Sequence, residues 1–267
     1  MQNMKEQLEN LLTSEGVHAA YTDGHSLAPS HPVPEQLESQ MRLAAEHLVG
    51  FKELMMVYTC AIKEVQTKLE ILSTEFNVKH KRNPISSITT RLKRTESIAE
   101  KLSRNNLPFT IESIEKNVRD VAGIRVICSY IDDIYAIAEA LLKQDDVRLI
   151  ERKDYIASPK PNGYRSLHLI ISIPVYLAES KKEVMVEVQI RTMAMDFWAT
   201  LEHQMKYKKD IPDQESLENE LKACADVIAA TDSRMLMLRE KIESAADTET
   251  EDDVLFDRLR KLDMPIG

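Results

Sequence analysis

The chain is short of glycine, tryptophan and cysteine, with six, one and three of them in 267 residues. The scarcity of glycine goes with the absence of both common phosphate cradles: neither G-x-x-x-x-G-K-[ST] nor G-x-G-x-x-G occurs. Phosphate would have to be held by arginine and lysine side chains and a metal. Cys60, Cys128 and Cys224 are odd in number, far apart and without a Cys-x-x-Cys pair, which supports neither a disulfide framework nor a zinc ribbon. No apolar run approaches the roughly 18 residues of a membrane span, and the opening MQNMKEQLENLL lacks a secretion-signal layout. The sequence therefore predicts a soluble, cytoplasmic protein. No Ser-His-Asp order, H-E-x-x-H or zinc-ligand spacing is visible, which argues against hydrolases of those types.

An excess of basic charge is also missing. The formal net charge of −9 argues against wholesale nucleic-acid binding, but it is unevenly spread. Between Lys79 and Arg104 eight Lys or Arg face only Glu96 and Glu100, a local balance of +6. A basic island in an acidic chain suits a small anionic ligand; the plainer account is a solvated helical face.

Residues 1–34 end in the proline-rich APSHPVPEQ region and read as a loosely ordered leader. From Leu37 to Phe76 apolar residues recur at alternating spacings of four and three, predicting one long helix with a single seam. Leu217, Leu221, Cys224, Ile228, Thr231, Met235, Leu238 and Ile242 repeat the spacing near the C-terminus. Such stripes must be buried against each other, the core or another subunit, so homo-oligomerisation is expected. The domain is placed at residues 35–245, and residues 246–267 read as an acidic, mobile tail. Between the long helices, SSITTRLKRTESIAEKLSR reads as a helix with basic residues on one side. AGIRVICSYI reads as a strand, DDIYAIAEALLKQ as a helix opening on Asp132 or Asp133, and VRLIERKDYI, YRSLHLIISIPV and KEVMVEVQIRT as three further strands. The order implies an α/β (α+β) fold: a mostly antiparallel or mixed sheet carrying helices.

Strand alternation decides which side chains can cooperate. Val186, Val188 and Ile190 point to one face and Glu187, Gln189 and Arg191 to the other; Leu167 and Leu169 take the core face, leaving His168 opposite. That polar face is either an ordinary water-facing surface or the floor of a site. Asp120 precedes the VAGIRV strand, as a turn residue or as a ligand. An Asp at one strand start and a Glu on another strand, with basic residues close by, form the inventory of a Mg²⁺ site that holds phosphates. The Asn162-Gly163 turn presents Tyr164 where its ring can stack on a nucleobase or cover the core, with Lys160 and His168 flanking it as donors to phosphate or ribose.

In this order and at these separations, RDVAGIRVICSY, KPNGYRSLHL and VEVQIRTMAMDFWATLEH resemble the small alarmone synthetases of the RelA/SpoT-homologue superfamily, over roughly Phe51 to Ile242. The resemblance implies a nucleotidyltransferase-like domain that moves a pyrophosphoryl group from ATP to the 3′-hydroxyl of GDP or GTP and releases AMP. It also implies synthesis of (p)ppGpp in the stringent response, without hydrolase activity or ribosome binding, by a homo-oligomer, with a tetramer favoured. Carried over by position, Asp120 and Glu187 are the Mg²⁺ pair, with Glu187 also the candidate proton acceptor. Arg91 and Arg125 would sandwich adenine, and Lys93, Lys101 and Arg104 would bind ATP phosphates. Tyr164 would stack on guanine, Lys153, Lys160, His168 and Gln189 would hold the acceptor's phosphates and ribose, and Asp196 would read the guanine edge. The alternatives are a nucleotide- or RNA-binding regulator without turnover and a nucleotidyltransferase with another acceptor.

Overall fold

The computed structural model describes residues 35–80, 82–206 and 214–246. The predicted leader and all of the predicted tail beyond Ala246 lie outside them. The described residues fall into two units, one up to Leu48 and one from Val49 onward. The long helix is α1 (Glu35–His80). It is followed by β1 (Ile85–Leu92), α2 (Thr95–Arg104), α3 (Ile111–Asn117), β2 (Ala122–Cys128) and α4 (Ile131–Leu142). Next come β3 (Arg148–Asp154), β4 (Leu167–Tyr176), β5 (Lys181–Thr192), α5 (Met193–Lys206) and α6 (Gln214–Ala246).

The five strands form one mixed sheet in the order β1-β2-β5-β4-β3. Its one parallel pair is β2 with β5, and the other neighbours run antiparallel. Period-two alternation puts Ala122, Ile124 and Val126, Leu167, Leu169 and Ile171, and Val186, Val188 and Ile190 on one buried face. Leu54 to Leu72 of α1, Ile98 and Leu102 of α2, Ile114 of α3 and Ile134 to Leu141 of α4 close that core. Each large aliphatic side chain fully buried there contributes about 1.5–3 kcal/mol. A smaller cluster unites Trp198 and Ala199 of α5 with Leu221 and Ala225 of α6, and Tyr164 packs against it.

Short polar bonds set the element ends. Thr110 accepts from Ser113 N at the start of α3 (3.2 Å), and Thr192 accepts from Met195 N at the start of α5 (3.1 Å). Asp133 accepts from Tyr130 N (3.2 Å) at the start of α4, which opens at Ile131. No helix among the described residues is long and apolar enough to cross a membrane.

One predicted element is corrected. Residues 86–104 are not a single helix: the first part belongs to β1 and only Thr95–Arg104 is helical. Ile85, Ile88, Thr89 and Thr90 are β-branched, and this segment pairs with β2 as an edge strand, which outweighs the spacing of its charges. Of the two seams, the α1 stretch from Leu54 to Leu72 is spent on the core, whereas Met41 and Leu48 are exposed, as are Met235, Leu238 and Ile242 of α6.

Candidate active site

The face of the sheet opposite the main core carries two cross-strand rows. Thr89, Arg125, Gln189, His168 and Lys153 are register partners in succession across all five strands. Two residues along, Arg91, Gly123, Glu187, Ile170 and Glu151 form the next row. Register partners share a face, so five chain segments contribute to one surface. A cleft of about 350 Å³ opens on it, lined by Thr89, Arg91, Lys93, Asp120, Gly123, Ile124, Arg125, Glu187 and Gln189. Gly123 keeps the floor low: a Cβ there would lie 3.5 Å from the Arg91 carbonyl oxygen.

Asp120 stands at one end of the cleft. The bond from Lys93 N to Val121 O (2.8 Å) ties the exit of β1 to the entry of β2 and brings Lys93 beside it. Lys93 Nζ lies 2.6 Å and Lys101 Nζ 2.8 Å from its two carboxylate oxygens. Burial alone would push the Asp120 carboxyl up; hydrogen bonds from Lys101 and Lys93 outweigh it and hold the group below the usual carboxylate range. Glu187 is treated alike. Its burial is outweighed by His168, whose Nδ1 is 3.3 Å from Oε1, and by Gln189, which donates to Oε2 (2.9 Å). Asp120 is near enough for its negative charge to oppose that lowering. Two ionised carboxylates thus share a cleft with Arg91 and Arg125, a donor set that suits a hard cation with phosphates completing its shell.

Beyond Gln189 the surface turns aromatic. The chain reverses at Asn162-Gly163, where Asn162 Oδ1 accepts from Tyr164 N (3.2 Å) and Gly163 takes φ +89°. Tyr164 lies in this loop, three residues ahead of β4 rather than at its start. Its hydroxyl is 2.8 Å from His168 Nε2 and 2.6 Å from Arg191 Nη2. Lys160 Nζ sits 4.9 Å from the Tyr164 ring centre and 4.6 Å from that of Tyr155. Asp196 Oδ1 meets Arg191 Nη1 at 3.1 Å and Arg125 Nη1 at 3.2 Å, linking the arginine side of the cleft to the tyrosine side.

Residues 90–212 match the region found in RelA / SpoT proteins. The chain is 42% identical over 212 residues to the GTP pyrophosphokinase YwaC of Bacillus subtilis, covering 76% of this chain and all of that one. It is 34% identical to a second Bacillus subtilis GTP pyrophosphokinase, YjbM, of which it covers 91%. The chain belongs to the small alarmone synthetases of the RelA/SpoT family. The crystal structure of small alarmone synthetase 2 from Bacillus subtilis superposes with a TM-score of 0.64 at 43% identity, over 72% of this chain and 98% of that one. That of small alarmone synthetase 1 bound to its product pppGpp gives 0.66 at 34% identity, over the same shares.

Within this synthetase the sequence-predicted residues come together unevenly. Arg91, Lys93, Asp120, Arg125, Glu187 and Gln189 line the cleft. Lys101, His168, Tyr164 and Asp196 join by direct polar contact, and Lys160 through the Tyr164 ring. Lys153 shares the His168 row but is exposed, with its ammonium 3.2 Å from Glu151. Arg104, in the last turn of α2, is exposed and does not line the cleft. Sequence reasoning missed Arg191 as a site residue, although it alternates with Glu187 and Gln189. It also missed Tyr155, which a position one residue beyond β3 leaves without periodic signal.

Proposed function

We propose that the protein is a (p)ppGpp synthetase that transfers a pyrophosphoryl group from ATP to the 3′-hydroxyl of GDP or GTP and releases AMP. The observation that carries this reading is the placement of Asp120 and Glu187 in one cleft, with paired arginines on one side and the Tyr164–His168 group on the other. The relatives named above as GTP pyrophosphokinases support it. A non-catalytic phosphate binder gains nothing from two ionised carboxylates among the phosphates.

Arg91 and Arg125 offer planar guanidinium faces to adenine, a contact an ammonium cannot make. Lys93, Lys101 and Arg104 supply positive charge for the triphosphate. Tyr164 stacks on guanine, and Lys153, Lys160, His168 and Gln189 bind the acceptor's phosphates and ribose. Asp196 accepts from the guanine edge. Glu187 takes the proton of the attacking hydroxyl. Asp120 and Glu187 would hold Mg²⁺, which neutralises charge on the transferring phosphates when bound. The chemistry then rests on positioning and charge neutralisation, without a covalent enzyme intermediate. Lys93 and Lys101, which pair with Asp120, would also be placed to meet phosphate oxygens beside it. We assign the enzyme to the cytoplasm as a homotetramer; the exposed apolar residues of α1 and α6 support association.

The test is incubation with Mg²⁺, ATP and GDP or GTP, with nucleotides resolved by anion exchange. The expected result is ppGpp or pppGpp with an equal amount of AMP. No AMP, although both nucleotides bind, would make the protein a binding regulator instead. Glu187→Gln is expected to abolish synthesis with the fold intact, since a neutral amide is a poor magnesium ligand and a poor base. Retained activity would remove Glu187 from the mechanism.

A further inference from the structure

Arg191 is the most buried cation of the described site, 4% exposed, and every nitrogen of its guanidinium has a partner. Nε donates to Ser166 Oγ (3.3 Å) and Nη1 to Asp196 (3.1 Å). Nη2 spends both hydrogens, one on Tyr164 Oη (2.6 Å) and one on Gln189 Oε1 (2.8 Å).

Because arginine only donates and an ionised carboxylate only accepts, the groups between Arg191 and Glu187 have one consistent direction of donation. Gln189 must present its carbonyl to Arg191, which turns its amide NH₂ toward Glu187 Oε2, where it lies at 2.9 Å. Tyr164, accepting from Arg191, has its one hydrogen left for His168 Nε2. An imidazole that accepts at Nε2 carries its proton on Nδ1, the nitrogen 3.3 Å from Glu187 Oε1. Two arms leave one guanidinium nitrogen and end on the two oxygens of one carboxylate.

We propose that Arg191 is a positioning residue for Glu187: acting through Gln189 and through Tyr164–His168, it fixes the orientation of both hydrogen bonds the carboxylate receives. This rests on the reading of Glu187 as the proton acceptor in alarmone synthesis. Lysine cannot take over the role, because a compact ammonium does not reach four acceptors spread around a planar fork.

Two variants and two readouts test the proposal. Arg191→Lys is expected to lower kcat by about 10–100-fold, the usual effect of losing a group that orients a functional ligand, with the KM for ATP within about threefold. Tyr164→Phe keeps the ring, cuts one arm, and is expected to lower kcat by less. Combined, the two changes should lower kcat by less than the product of their separate effects, since both act on the Tyr164 arm. Nitrogen NMR of His168, assigned with His168→Gln, should show the Nδ1–H tautomer in the parent protein. Tyr164→Phe removes the donor to Nε2, so the Nε2 signal should move to that of an acceptor without a hydrogen bond while Nδ1 keeps its proton toward Glu187. An Nε2–H tautomer in the parent protein would overturn the proposal, as would variants whose kcat is unchanged. If Arg191→Lys does not fold, Tyr164→Phe carries both readouts. The tautomer is read without turnover, so a protein that makes no alarmone defeats the functional reading and leaves this measurement standing.

Discussion

Replacing Gly163 by alanine tests whether α6 holds the acceptor loop in place. Gly163 has φ +89°, and a Cβ built there would lie 2.5 Å from the Ala225 Cβ and 3.5 Å from Lys222 Cα of α6. Two penalties follow. The left-handed backbone costs an L-residue about 1–2 kcal/mol. Overpacking adds about 1–3 kcal/mol, because the atom met is a Cβ on a helix and not the flexible end of a side chain. A loss of about 3 kcal/mol corresponds to a fall in Tm of roughly 6–12 °C for a chain of this size. Relief requires the loop to move away from α6, and the next residue is Tyr164. We therefore expect kcat/KM for GDP to fall by about 10–100-fold, as misplacements near 1 Å do, while the KM for ATP stays within about twofold.

The assays are thermal unfolding and steady-state kinetics with each nucleotide varied in turn. Adding Ala225→Gly to Gly163→Ala removes the clash and leaves the backbone penalty, so it should return part of the GDP efficiency; its own helix penalty of about 1 kcal/mol must be measured alone. A Gly163→Ala protein with parental Tm and parental GDP kinetics would refute the reasoning. Loss of ATP efficiency instead of GDP efficiency would reverse the assignment of the two pockets.

Asp133 is 2% exposed, accepts a bidentate pair from Arg82 at 2.6 and 2.7 Å, and caps α4. Asp133→Ala removes the α4 cap and the main partner of a one-third exposed guanidinium, and is expected to destabilise by about 2–4 kcal/mol in denaturant unfolding, with nucleotide KM values unchanged. Asp232 of α6 is 8% exposed and hydrogen-bonded to Thr192, and burial pushes its carboxyl up despite that bond. A folded-state value above the unfolded one means that the ionised form opposes folding. The contribution is therefore most favourable below the unfolded carboxylate value and is lost as pH rises through the folded one. Asp232→Asn should raise Tm at neutral pH by roughly a few degrees and flatten the stability profile across the acid range. An unchanged profile would show that Asp232 is not desolvated in solution.

The face assignments of β4 and β5 are legible in the sequence because side-chain direction alternates with strict period two, so position alone puts Glu187, Gln189 and His168 on the polar face. The turn at Asn162-Gly163 is legible because few residues other than glycine accept a positive φ. The boundary between β1 and α2 is not. Thr89 and Thr90 are strand formers with little periodic signal on an exposed edge, and the spacing of Arg94, Lys101 and Arg104 is helical across the start of α2 at Thr95.

By itself, the sequence determined an α/β chain with two long helices and a polar sheet face bearing Asp, Glu, His and Arg, since local periodicity carries that information. Only the tertiary structure decided the strand order β1-β2-β5-β4-β3, because pairing between distant segments is set by how the whole core closes. That order places Arg125 beside Gln189, Gln189 beside His168, and Lys93 beside Asp120. It also buries Arg191 with a partner for every nitrogen, turning an alternating residue on one strand into the hub of two hydrogen-bonded arms that end on Glu187. A one-dimensional pattern records which face a side chain takes, but not which other segment will meet it there.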